Sequence, residues 1–202
     1  MKLNRMMWGV MLAIIVTLAG IVVAFLAGDS DTPQSVTFFA ADDTYTITVT
    51  HPEDWYSSAQ SDFGIGLTND RELLQTLLGG VSATPQSGEI SGNIVFFTYD
   101  NLGTSVGITA ETDLETALAA FVQNISGGAA VLDDTELVTE NDVLMATGVS
   151  SDDASDTLFI AVQIEQGMIF GFFGTITGEL DQYRETLQSV MASSEFVVIS
   201  DS

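Results

Sequence analysis

The chain has 202 residues and a formal net charge of −24, set by 28 acidic residues against four basic ones. A surface of that sign repels a phosphate backbone, which excludes nucleic acid as a partner, and attracts cations and basic protein surfaces instead. Hydrophobic content of 46% with 12 Phe excludes a disordered chain, and the absence of Cys excludes a disulfide framework and a lipoprotein attachment site.

Lys2 and Arg5 precede 20 uncharged residues, Trp8 to Ala27, and Asp29 and Asp31 follow at once. About 20 apolar residues cross a hydrocarbon core of about 30 Å. The basic flank stays in the cytoplasm, which orients the span and places the rest outside. A cleaved secretory signal shares the basic start, but its apolar core runs to only about 7–15 residues before a small-x-small site. Here the core is longer, and Phe25 spoils the site after Ala27. The expectation is a single-pass cell-membrane protein: residues 1–7 a cytoplasmic basic stub, 8–27 a transmembrane anchor, 28–35 a linker and 36–202 one extracytoplasmic domain. Gly20, Ala24 and Gly28 have the spacing that lets two spans approach closely, which adds a homodimer through this helix. Beyond the span lie all 28 acidic residues but only two bases, Arg71 and Arg184.

Within the domain, Val36–Phe39 and Tyr45–Thr50 read as a strand pair, because Tyr45, Ile47 and Val49 alternate with Thr. Phe63–Leu67 is another strand candidate. Asn69–Leu78 reads as a short helix with Leu73, Leu74, Leu77 and Leu78 on its apolar side, stopped by Gly79-Gly80. The stretch Val81–Gly88 is loop, and Ile90–Tyr99 a strand. Asp113–Ile125 is the clearest helix: Thr112 and Glu115 have capping-box spacing, Leu114, Ala117, Leu118, Phe121, Val122 and Ile125 share a face, and Gly127-Gly128 end it. Strands follow at Ala130–Val138, Val143–Val149, Leu158–Glu165 and Met168–Thr177, with a tight hairpin at Glu165-Gln166-Gly167. Glu179–Ala192 closes the chain as an amphipathic helix. The expected fold class is α+β, a largely antiparallel central sheet flanked by helices.

The segment Tyr45–Trp55, YTITVTHPEDW, resembles the strand and Pro-x-x-Trp turn that open PsbP-like domains. The order of later elements agrees, down to a closing helix near Ser193, Ser194 and Phe196. The resemblance implies an antiparallel sheet between helices over roughly residues 36–198. Photosynthetic members of that family dock on the oxygen-evolving photosystem, whereas its other bacterial relatives, often lipoproteins or membrane-anchored, have no general activity. This chain keeps a span and lacks the Lys-rich docking surface, so photosystem binding is not carried over.

Five patterns bear on chemistry. His51 is the only histidine, and Pro52 after it holds it in extended backbone at a strand end; its expected role is packing. Gly103–Gly107 matches G-x-S-x-G around Ser105, but a nucleophile elbow needs a helix directly after the Ser and a late His. It reads instead as a Gly-rich turn. Asp152, Asp153 and Asp156 bunch between two strands and are the candidate ligands for a hard cation such as calcium, which takes six to eight oxygens. Asp133, Asp134 and Glu136 form a second acidic group, and Trp55, Tyr56 and Phe63 an aromatic one. The expected function is a non-enzymatic, membrane-anchored binding or scaffold domain with a protein partner and no cofactor. The alternative is a carboxylate-based hydrolase or a calcium-binding surface protein.

Overall fold

The alternation in YTITVTH builds a small sheet. The computed structural model describes residues 33–40, 44–60, 64–78 and 84–199. In it β1 (Gln34–Phe39) pairs antiparallel with β2 (Tyr45–His51), with Phe38 opposite Ile47. The last strand, β10 (Glu195–Val198), pairs with the other side of β2 and sets Phe196 opposite the same Ile47. The stub at 1–7, the anchor at 8–27, the homodimer contact through it, residues 28–32 of the linker and Phe63 lie outside the described residues. Among the described residues no helix is long and apolar enough to cross a membrane.

Pro52 has no N–H to give a ladder, and the Trp55 N–H closes back on the Pro52 carbonyl at 3.1 Å. That turn ends the small sheet and starts a second one. The second sheet contains β3 (Tyr56–Gln60), β4 (Gly64–Thr68), β5 (Ser91–Thr98), β6 (Asp133–Glu140), β7 (Val143–Ser151), β8 (Ser155–Ile164) and β9 (Gly167–Ile176). Its order is β3-β4-β5-β9-β8-β7-β6, and every pair is antiparallel. One central sheet was expected; the structure has two, with three and seven strands. The β8–β9 hairpin turns on Glu165-Gln166 as expected, and the β6–β7 hairpin turns on Asn141 and Asp142, both at positive φ.

Among the described residues four helices accompany the sheets: α1 (Arg71–Leu78), α2 (Tyr99–Val106), α3 (Leu114–Ile125) and α4 (Arg184–Ala192). Three differ in detail from expectation. The N-cap of α3 is Asp113, whose carboxylate accepts the Thr116 N–H at 2.9 Å, while Thr112 instead accepts from the N–H of Thr109. A carboxylate is the stronger acceptor for a helix N-terminus, which moves the cap one residue on. The closing helix is split, with a 3-10 turn at Leu180–Gln182 and α4 beginning only at Arg184. The Gly-rich segment is α2, not a turn. Thr98 caps it, and Gly107, at φ 73°, ends it in the left-handed conformation that glycine adopts without strain.

The large sheet is buried on both faces, so β8 and β9 are almost continuously apolar. One face meets α2 and α3, where Phe121 lies flat on Phe170 with ring centroids 3.8 Å apart, beside Ala146, Phe159 and Ala161. The other face meets α4 and the small sheet, through Leu187, Val190, Met191, Ile47 and Val49 against Leu158, Ile160, Ile169 and Phe173. Residue parity on β8 explains the sorting: Leu158, Ile160 and Val162 point one way, Phe159 and Ala161 the other.

Candidate functional site

The residues singled out by sequence do not converge. His51 is buried at the end of β2. The Pro52 carbonyl can only accept, so Nδ1 carries the ring proton and donates to it at 2.8 Å, leaving Nε2 to accept the Ser57 hydroxyl at 2.9 Å. Burial pushes the His51 pKa below its ordinary value, and the Pro52 bond offsets this only in part. Both nitrogens are therefore engaged in a packing role. Ser105 lies in the last turn of α2, and its hydroxyl donates to the Asn101 carbonyl at 2.6 Å, one turn back along its own helix. Trp55 is buried and meets Tyr183 edge-on at 6.3 Å, which seals the end of the small sheet, while Tyr56 beside it is exposed.

Among the described residues no three His, Cys, Asp or Glu side chains gather as a metal would need. Asp152 spends one carboxylate oxygen on the N–H groups of Ala154 and Ser155, both at 2.8 Å, and on the Ser155 hydroxyl. Asp156 is buried and accepts the Gly178 N–H at 2.7 Å. Asp153 is exposed. Two of the three candidate calcium ligands thus shape the β7–β8 turn and its contact with the turn after β9.

A different constellation does converge. An open groove of about 930 Å³ is lined by Asp133, Thr135 and Glu136 of β6, Val149 and Ser151 of β7, and Arg184. Three features of the fold bring these together. A bulge in β6 between Asp133 and Glu136 shifts the register, so that Asp133 stands opposite Val149 and Glu136 opposite Thr147. Both acidic residues are thereby placed on the face of β7 that carries Val149 and Ser151. Then α4, packed on this side of the large sheet, brings its first residue, Arg184, to the same groove.

The electrostatics are lopsided. Arg184 makes one ion pair, Nη2 to Asp181 Oδ1 at 3.4 Å, with side-chain exposure of 30% and 92% respectively. Neither Asp133 nor Glu136 reaches ion-pair distance of the guanidinium, and no other ion pair occurs among the described residues. On the same face of β7, Thr147 is fully buried and its hydroxyl has no hydrogen-bond partner. The groove is lined by both donors and acceptors, but neither His51 nor Ser105 is among its lining residues.

Beside it, Asn69, Glu179 and Tyr183 hold the loop before β5. The Asn69 amide donates to the Gly88 carbonyl at 2.8 Å and accepts the Ile90 N–H at 2.9 Å. Glu179 accepts from the Gly88 N–H at 2.7 Å and from the Ser87 hydroxyl, which lowers its pKa. Burial raises the pKa of Tyr183.

The chain is similar to solved structures of PsbP-like build. One is the solution structure of cyanobacterial PsbP from Synechocystis sp. PCC 6803, at 17% identity and a TM-score of 0.44, covering 87% of this chain and 99% of that one. Another is LpqN of Mycobacterium tuberculosis, described as involved in cell envelope biogenesis, at 12% identity and a TM-score of 0.43, covering 82% and 91%. No family model and no curated protein matches the chain. At these identities the likeness is one of fold alone.

Sequence reasoning singled out Asp133 and Glu136 as an acidic group and Arg184 as one of two external bases, but not their meeting. Read within a helix over Glu179–Ala192, Arg184 gave no signal of it; only the split of that helix puts the cation at the start of α4. A cation at a helix N-terminus opposes the helix dipole, so α4 gains nothing from it.

Proposed function

We propose that the chain is a binding domain held outside the cytoplasm by its N-terminal span, and that it captures its partner in the groove between β6, β7 and α4. The observation that carries the reading is that Arg184, Asp133 and Glu136 line one groove while the guanidinium pairs with neither carboxylate. A guanidinium and two carboxylates at one groove, not paired with each other, offer both signs of charge to a partner. The external location rests on the basic start, the apolar stretch 8–27 and the acidic flank. Protease added to intact spheroplasts is expected to remove the domain; protection of the domain would overturn the location. A photo-crosslinking side chain at Ser151, in the groove, is expected to capture a partner in intact cells, and one at Ser105 is expected to capture none. Equal capture at both positions, or none at either, would overturn the groove as the site. A second reading, carboxylate-based hydrolysis, is favoured only by the Asp133 and Glu136 pair. It predicts turnover of a glycan or ester that Glu136→Gln abolishes.

A further inference from the structure

We infer that the ligand of this groove is a zwitterion: a molecule bearing an anionic carboxylate or phosphate group for Arg184 and a primary ammonium group for Asp133 and Glu136. The inference rests on the groove being the binding site and names what it selects.

The anionic half of the ligand follows from the guanidinium. Arg184 has five N–H donors in a fixed fork, of which Asp181 takes one at the long distance of 3.4 Å. Asp181 itself is almost wholly solvated, so it gives up little on releasing Arg184. Arg184 lines the groove, and a guanidinium fork matches a carboxylate or phosphate in a bidentate manner. In a chain with 28 acidic residues and only two bases beyond the span, one of those bases lines the groove as the first residue of α4, where a cation opposes the helix dipole. Its one ion pair there, to the solvated Asp181, is a small structural return for that placement.

The cationic half follows from β6. Its bulge places Asp133 and Glu136 on one face, and both line the groove, where carboxylates attract an ammonium and repel a second anion. A purely anionic ligand is therefore repelled by β6, and a purely cationic one by Arg184. A molecule carrying both charges satisfies both. Peptide termini and aminoalkyl phosphate headgroups share this chemistry.

Isothermal titration calorimetry on the full-length chain in detergent tests this, with glycylglycine and phosphoethanolamine as probes. At least one is expected to bind, and N-acetylglycylglycine, which lacks the ammonium, and ethanolamine, which lacks the anion, are expected to bind about tenfold more weakly or worse. Arg184→Gln should weaken the zwitterion by about tenfold while improving ethanolamine; Asp133→Asn with Glu136→Gln should weaken it comparably while improving N-acetylglycylglycine. Ser151→Trp, which fills the groove from an exposed position, should abolish binding. The preferred probe distinguishes the sources: glycylglycine points to a peptide, phosphoethanolamine to a headgroup. Failure of both probes to bind, a single-charge analogue binding as tightly as the zwitterion, or binding that survives Ser151→Trp would each overturn the inference. The analogue comparison needs only the unaltered protein, so a variant that fails to fold does not leave the matter open. Capture at Ser151 in cells without zwitterion binding would refute the ligand class alone; loss of both would refute the site as well.

Discussion

Trp55 and His51 sit four residues apart at the end of β2 and do related work. Trp55 is 6% exposed and braced by the Tyr183 ring, so Trp55→Ala removes a large buried aromatic and should cost about 3–5 kcal/mol. A thermal midpoint that hardly moved would show that the side chain faces a ligand rather than the core. His51 gives a pH signature. Burial holds its folded-state pKa below the ordinary 6.5, so the unfolded chain takes up a proton more readily than the folded one. Stability conferred by neutral His51 is therefore full above that value and declines as pH falls below it. His51→Gln should flatten the change in midpoint between about pH 7 and about pH 5, a window above the carboxylate range. Asp113 and Glu179, whose pKa values are lowered by their hydrogen bonds, lose their contributions only at more acid pH. An identical slope in the variant would remove the buried, neutral His51 from the account.

At the scale of elements, what sequence revealed depended on how much of each element's environment is local. β2 was legible because Ile47 and Val49 alternate with Thr, and α3 because its apolar residues recur at helical spacing. β3, with the sequence YSSAQ, was missed: it carries no apolar alternation and is a strand because β4 pairs with it. α2 was missed because Gly103 and Gly107 read as a turn, although only Gly107 adopts a positive φ. The groove was illegible for a longer-range reason. Arg184 and Glu136 are separated by three strands, and only the bulge and the docking of α4 bring them together. That docking has a tight point. A Cβ on Gly171 would stand 2.6 Å from Met191 Sδ and 2.7 Å from Phe173 Cε2, so Gly171→Ala should overpack the α4 contact and cost about 1–3 kcal/mol. Adding Met191→Ala should relieve part of that strain, giving a double-mutant cycle that is clearly non-additive. Strict additivity would show that α4 does not press on the sheet there.

The whole molecule carries its charge almost unneutralised, with the Arg184–Asp181 contact the one ion pair among the described residues. Self-repulsion should therefore weaken the fold at low ionic strength, and screening should relieve it as the Debye length falls from about 30 Å at 0.01 M salt to about 3 Å at 1 M. The midpoint of the full chain is expected to rise with sodium chloride. A calcium site at Asp152, Asp153 and Asp156 has a separate signature, stabilisation by calcium at constant ionic strength that a chelator reverses and that neutralising Asp153 weakens. A midpoint indifferent to salt would refute the repulsion account, and one indifferent to calcium would refute the metal site. The two sheets also divide the molecule in another way. β1 and β10 flank β2 in the small sheet, so both ends of the described chain leave from it, while the groove belongs to the large sheet. A pull applied between the start of β1 and the groove passes along β1, an edge strand held to β2 from Gln34–His51 to Phe39–Thr46. The small sheet is then expected to act as a mechanical fuse: under such a load it should give way first, while the seven-stranded sheet keeps its shape.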